Sequence, residues 1–291
     1  MSHAGFSGAL AARQAIKPRR SSLPRRKNAQ HEKNADLELK LGALQIQYAE
    51  LQTAIGDAAQ VYRRLCAPRL VRRGKFEIAS ETFAVRHVPG DFFAVEETGG
   101  EIVLALGDIS GKGLGAGMWT TFMVGLVNTH ASANPEPHTV AANINRDLCR
   151  MRAVAPLASL FLARLDPLTG RLDYTNAGHP PALLLRADGE LELLSDGGLL
   201  LGVVPAADFS RGTVYLNAGD VLLVCSDGIL ESVDETDQEF GYSRLEAQLR
   251  SARTGAAGEV LFSVLGAVQD FAATRPLVDD MSLAVVRRDS R

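Results

Sequence analysis

The sequence predicts an α+β protein on three observations. Short apolar runs alternate with glycine- and aspartate-rich turns through most of the chain, and two of the connections are short enough to be hairpin turns. The stretches that read as helices stand apart from the strands, whereas a doubly wound parallel sheet needs strand and helix in turn. At 291 residues, with 46% hydrophobic and 22% charged side chains, the chain can bury a full core as one large domain, or one domain with an appendage.

Residues 1–35 come first in order. They carry eight Lys or Arg against Glu32 alone, contain Pro18, Pro24 and the pairs Arg19-Arg20 and Arg25-Arg26, and show no sustained periodicity. A disordered basic tail is expected there. The remaining residues hold 23 basic against 33 acidic side chains, so the net charge of −3 conceals an acidic body. That balance argues against a wholesale polyanion binder, and no nucleic-acid partner is expected.

From Leu37 the pattern changes. Leu37, Leu41, Leu44, Tyr48, Leu51, Ile55, Ala58, Tyr62 and Leu65 fall at alternating spacings of four and three, all apolar. Such a heptad seam predicts a coiled-coil linker helix over residues 36–67, ended by Pro68, and a homodimer assembled through it, the alternative being a helix packed on its own domain. Gly42 and Gly56 each weaken this helix by up to ~1 kcal/mol relative to Ala, which favours an adjustable dimer over a rigid one. The stretch before the coil is shorter than a sensory domain of roughly 100 residues. A signal is therefore expected from a separate activator protein acting on this helix, or from the tail itself.

The body is expected over residues 75–289. Its strands read as 76–87, 102–106, 159–166, 171–176, 182–186, 191–194, 212–216, 221–225 and 281–287, and its helices as about 114–132, 138–152, 242–251 and 258–274. The turns Asp166-Pro167-Leu168-Thr169-Gly170 and Ala187-Asp188-Gly189 make the strands on either side antiparallel. No apolar run approaches the roughly 18 residues of a membrane span. Cys66, Cys149 and Cys225 lie far apart without a C-x-x-C spacing, so neither a disulfide framework nor a zinc ribbon is available and a reducing cytoplasm fits.

An aspartate stands repeatedly where an apolar run stops or begins. Asp91 lies in His87-Val88-Pro89-Gly90-Asp91-Phe92-Phe93, Asp108 follows the run 102–107, Asp227 follows 221–226, and Asp279 with Asp280 precedes the last strand. Each alone is an ordinary turn former or helix cap. If the central strands lie side by side, however, the carboxylates converge on one rim. Like charges ~4 Å apart repel by roughly 4 kcal/mol at an effective dielectric of 20, so such a cluster calls for a cation. Oxygen-only ligands select Mg²⁺ or Mn²⁺, often as a pair, and the chemistry implied is hydrolysis at phosphorus by an activated water.

Other motifs fail. The segment Gly107-Asp108-Ile109-Ser110-Gly111-Lys112-Gly113 lacks the first glycine of a Walker A loop, where Leu106 stands, and its Ser or Thr, where Gly113 stands. G-x-G-x-x-G fails at Ala116 and at Met118. Cys66 and Arg72 have the spacing of a cysteine phosphatase without its preceding His or interior glycines. There is no G-x-S-x-G, and the six histidines do not pair at metal spacing.

In this order, Pro89-Gly90-Asp91-Phe92-Phe93, Gly107-Asp108-Ile109-Ser110-Gly111-Lys112-Gly113, Asn176-Ala177-Gly178-His179-Pro180-Pro181, Ser226-Asp227-Gly228 and Asp279-Asp280-Met281-Ser282 resemble the metal-dependent serine/threonine phosphatases of the PPM family. The likeness is to the SpoIIE/RsbU-type branch of bacterial partner-switching pathways, and it covers about 200 residues. It implies two packed antiparallel sheets flanked by helices, with two Mn²⁺ or Mg²⁺ ions at one end of the sandwich. Asp91, Asp108 and the Ile109 carbonyl would hold one metal, and Asp108, Asp227 and Asp279 the other, with Asp280 in support. It further implies hydrolysis of phosphoserine or phosphothreonine on a regulatory protein, an anti-sigma factor antagonist, without a covalent enzyme intermediate. The alternative is a weak or inactive phosphatase fold serving as a signalling scaffold. Pro89 replaces a glycine and Ala94 an aspartate of the family's pattern, which implies weaker metal affinity. His179 is more simply a structural histidine in a proline-fixed turn than a proton donor.

Overall fold

The computed structural model describes residues 23–66, 70–134, 136–151 and 154–289. Helix α1 (Leu23–Cys66) opens it, so residues 23–35 are helical where a disordered tail was expected. Pro24 stands in the first turn, where a missing N–H is tolerated, and the Arg, Lys, Gln, Glu and Ala residues that follow propagate a helix well. Residues 1–22 of the expected tail, and Pro68, lie outside the described residues.

The chain divides into two compact units between Gln52 and Thr53, inside α1, and not at the expected boundary near residue 75. In the first unit Leu37, Leu41, Leu44, Tyr48 and Leu51 are exposed. In the second, Ala58, Ala59, Tyr62 and Cys66 pack into the core of the body. The heptad spacing is continuous across this division, which is why sequence alone shows no break there.

The body begins with the edge strand β1 (Leu70–Arg73), then β2 (Phe76–Phe83), β3 (Phe92–Thr98), β4 (Glu101–Ile109), α2 (Leu114–Ala133), α3 (Pro137–Arg150), β5 (Ala158–Leu165) and β6 (Arg171–Ala177). There follow β7 (Ala182–Leu185), β8 (Leu191–Leu194), β9 (Gly197–Gly198), β10 (Gly212–Tyr215), β11 (Val221–Cys225), α4 (Asp227–Leu230), α5 (Gly241–Ala252), α6 (Ala257–Ala272) and β12 (Met281–Arg288). One sheet has the order β1-β2-β12-β11-β7-β8 and the other β10-β6-β5-β4-β3, with β9 beside β6. All pairings are antiparallel except β6 with β9. Both expected hairpins form, with Gly170 and Gly189 at positive φ.

Period-two alternation builds three apolar layers. Phe93, Val95, Leu104, Leu106, Phe161, Leu222, Val224 and Val286 fill the space between the sheets. Phe92, Ala94, Val103 and Ala105 face the other way, under α2 and α3. Leu183, Leu223, Leu283 and Val285 face α5 and α6. Helices thus cover both outer faces of a sheet-on-sheet core, as the expected α+β sandwich requires. Strands β1, β3 and β9 and the single-turn helix α4 were not anticipated. Buried on both faces, β3 shows an unbroken apolar start in place of alternation.

Candidate metal centre

Strand pairing places the aspartates. Phe92 pairs with Gly107, so Asp91 and Asp108 stand at the same end of the β3/β4 ladder. In the other sheet Cys225 pairs with Leu283, which puts Asp227, just after β11, beside Asp279 and Asp280, just before β12. The two sheets are tied across this end by Asp280, whose carboxylate accepts hydrogen bonds from the Val85 and Gly90 amides, both at 2.7 Å. Asp280 is therefore committed to backbone on the far side of the rim. The Ser226 and Ser282 backbones also bond there, and the Ser226 hydroxyl accepts from the Ser282 amide at 2.9 Å.

The turns are built to let oxygen atoms approach. Gly111 and Gly113 adopt positive φ in the loop between Asp108 and α2, conformations that glycine takes at no steric cost. A Cβ at Gly90 would lie 2.9 Å from the Ile109 carbonyl oxygen, 3.2 Å from that of Gly111 and 3.3 Å from Asp108 Oδ1. Three oxygens thus cluster around one backbone point that has no room for a side chain. At Gly228 a Cβ would run into the Asp280 carbonyl, so only glycine lets the segment after Asp227 pack against residues 279 and 280.

The electrostatics follow from crowding. Asp91 is only 2% exposed, and burial, then Asp108, push its carboxyl well above the usual range. Burial, Asp227 and Asp279 raise Asp108 to about 6. Burial and Asp279 raise Asp227, and burial raises Asp280 against the pull of its two amide donors. One cation answers these carboxylates: Lys112 Nζ lies 2.7 Å from Asp279 Oδ2 and donates to the Val278 carbonyl at 2.7 Å.

The residues fit a hard divalent cation. Asp91 Oδ2 is buried with no hydrogen-bond partner, its carboxyl interacts with that of Asp108, and carboxylate and carbonyl oxygens crowd the adjoining Gly90. Among the described residues no three Asp, Glu, His or Cys side chains already close on a single point.

Asp91, Asp108, Ile109, Asp227, Asp279 and Asp280 are therefore brought to one rim. His179 is not part of it. It is 4% exposed, with Nδ1 2.8 Å from the Ser159 hydroxyl, its amide donating to Asn176 Oδ1, and burial depressing its pKa to about 3. A neutral imidazole of this kind braces the turn between β6 and β7. Ala94, where a carboxylate was expected to be missed, lies in the apolar layer beneath α2. Three residues had no site role expected from the sequence: Lys112, which stood in a quoted motif without a role, Thr120, whose hydroxyl donates to the Gly90 carbonyl at 2.8 Å, and Tyr62, whose hydroxyl donates to the Asp91 carbonyl at 2.5 Å. Tyr62 showed only as an apolar seam position.

Comparison with known proteins adds an independent line. The family described as stage II sporulation protein E (SpoIIE) matches residues 98–289. The chain is 24% identical over 243 residues to phosphoserine phosphatase RsbU of Bacillus subtilis (strain 168), covering 82% of this chain and 71% of RsbU. Among solved structures, the SiaA-PP2C domain of Pseudomonas aeruginosa superposes with a TM-score of 0.72 at 17% identity, covering 83% of this chain and 98% of that domain. The RsbU and RsbW domains of Rv1364c from Mycobacterium tuberculosis give 0.65 at 22% identity over 77% of this chain, which spans 62% of that protein's structure. The catalytic domain of serine threonine protein phosphatase PstP, in complex with 2 manganese ions, gives 0.51 at 17% identity, covering 73% of this chain and 97% of that domain. These structures share the fold.

Proposed function

The chain belongs to the stage II sporulation protein E (SpoIIE) family, and on that premise we propose that it is a metal-dependent protein serine/threonine phosphatase. The observation that carries the proposal is the buried, unpartnered Asp91 Oδ2, whose carboxyl interacts with Asp108, next to a glycine, Gly90, crowded by the Ile109 carbonyl. Asp91, Asp108 and Ile109 would hold one Mn²⁺ or Mg²⁺, and Asp108, Asp227 and Asp279 a second. Bound there, the ions supply charge neutralisation and water activation for hydrolysis of a phosphomonoester at neutral pH.

The chain's own residues prepare that site. Asp280 fixes the Gly90 amide so that Asp91 faces Asp108, and Gly228 lets the segment after Asp227 pack against residues 279 and 280. Lys112 holds Asp279 by an ion pair and a neighbouring carbonyl, restraining the segment before β12. None of these side chains is placed as a nucleophile, which is consistent with direct attack by water.

As substrate we propose a phosphorylated regulatory protein of the anti-sigma factor antagonist kind, in a partner-switching pathway, a reading that the likeness to phosphoserine phosphatase RsbU supports. We place the protein in the cytoplasm as a homodimer joined through α1, with an activator protein acting on that helix. No helix among the described residues is long and apolar enough to cross a membrane, and the three cysteines are buried and form no disulfide.

The test is hydrolysis of a phosphoserine protein and of p-nitrophenyl phosphate with and without Mn²⁺ or Mg²⁺, for wild type beside Asp108→Asn. Removing even an outer partner of a metal site typically costs 10–100-fold, so loss of a carboxylate that would serve both ions should lower activity by more than about 100-fold. Metal-independent hydrolysis, or an Asp108→Asn variant as active as wild type, would overturn the assignment.

A further inference from the structure

The segment that carries Asp91 is held by three side chains from three elements. Asp280, before β12, accepts from the Gly90 amide at 2.7 Å, and Thr120 of α2 donates to the Gly90 carbonyl at 2.8 Å. Tyr62 of α1 donates to the carbonyl of Asp91 itself at 2.5 Å. Asp91 stands one residue before β3, beyond the paired residues of the β3/β4 ladder. A side-chain donor therefore does there what the ladder does for Phe92 and its successors.

Tyr62 brings its hydroxyl to this rim, where Thr82 and the Asp91 and Asp280 carboxylates also stand near it. It is 5% exposed, among Cys66, Val88, Phe92 and Met123, and its ring fills the layer beneath α2. Fixing the Asp91 carbonyl fixes the peptide plane leaving Asp91, and with it the direction in which the carboxylate leaves the backbone. Metal ligands tolerate errors of about 0.2 Å, so the orientation of a ligand's backbone bears directly on affinity. Partners behind the ligands typically contribute 10–100-fold to metal binding.

We propose that Tyr62 is a positioning residue of the metal centre: its hydroxyl, carried on α1, holds the Asp91 backbone so that the carboxylate faces Asp108. The proposal rests on the phosphatase reading for the role of Asp91 and deepens it by naming what seats that ligand. It also makes one position of the heptad pattern serve the site instead of the seam.

The experiment uses the full chain as wild type, Tyr62→Phe and Tyr62→Leu. Mn²⁺ alone is titrated by calorimetry, and melting of the metal-free protein is followed in parallel. Tyr62→Phe keeps the ring and should bind Mn²⁺ about tenfold more weakly. Its metal-free melting temperature should stay within about 4 °C of wild type, the shift expected for one buried hydrogen bond in a body of this size. Saturating Mn²⁺ should restore hydrolysis of p-nitrophenyl phosphate by Tyr62→Phe, because the defect lies in seating the ligand. Tyr62→Leu should melt lower still yet bind Mn²⁺ about as weakly as Tyr62→Phe. If Tyr62→Phe binds Mn²⁺ like wild type, whether or not Tyr62→Leu is weakened, the hydroxyl has no positioning role and the proposal is overturned. Wild type that takes up no Mn²⁺ and hydrolyses nothing would instead bring down the phosphatase reading, and this proposal with it.

Discussion

Asp108 sits where burial and two neighbouring carboxylates act together, and its folded-state carboxyl is raised from the ordinary 3.8 to about 6. The protonated form is thus favoured by folding, so its contribution to stability is complete below pH 4 and is lost as pH rises through 6. The shift corresponds to roughly 2–3 kcal/mol between those limits. Asp91, Asp227 and Asp280 are raised as well and act in the same direction. Metal-free protein should therefore melt at lower temperature at pH 7 than at pH 4.5, and Mn²⁺ at pH 7 should restore the loss by binding only the folded state. In Asp108→Asn the amide cannot ionise, and the slope between pH 4.5 and 7 should fall by about half; parallel melting curves for the two proteins would refute the electrostatic account. The positions of Asp91, Asp108, Asp227 and Asp279 were legible in the sequence because each stands at the end of an apolar run. The bonds by which Asp280 gives its support were not, since its amide donors reach it only when residues 85 and 90 come to it across the fold.

At the scale of elements, α1 combines two environments under one sequence pattern. Leu44 is 62% and Leu51 56% exposed, whereas Tyr62, in the same heptad register, is buried in the body. Nothing in a repeat of four and three says which turns meet a second helix and which meet the chain's own core, so the helix was legible and its division was not. Exposed leucines at seam spacing are what a coiled coil buries on association. In the proposed dimer, Leu44→Asp with Leu51→Asp should weaken self-association by more than a hundredfold, given about 2–5 kcal/mol for each buried leucine lost. Sedimentation should show wild type as a dimer and the double variant as a monomer, with the body's melting temperature unchanged. A variant that stays dimeric would place the interface elsewhere. The strands show the same limit on sequence reading. The 191–194 and 221–225 runs fall on β8 and β11 because turns bound them, while β1 is a short, largely exposed edge with too little apolar signal to stand out.

At the scale of the whole molecule, the sandwich keeps its aspartate rim in place only if both sheets hold their outer layers. One outer layer is α2 and α3, joined by the last turns of α1, and the other is α5 and α6. The sequence showed the helices and strands but not that the body starts inside the linker helix, because that boundary is set by which side chains find a core and not by composition. A direct consequence concerns truncation. Residues from Thr53 onward form a compact unit that retains Ala58, Ala59, Tyr62 and Cys66 in its core. A chain starting at Thr53 should fold, melt within about 2 °C of the full chain and bind Mn²⁺ with unchanged affinity. A chain starting at Leu70 keeps every strand of the sandwich but loses those side chains. Loss of one large buried aromatic alone costs about 3–5 kcal/mol. For a body of some 220 residues this lowers melting by about 10 °C, at roughly 2–4 °C per kcal/mol. The shorter chain should also bind Mn²⁺ more weakly, because Val88 and Phe92, which flank the Asp91 turn, lose part of their packing. Equal melting temperatures for the two truncations would show that the end of α1 is only a connector, and that the body's true boundary lies near residue 70.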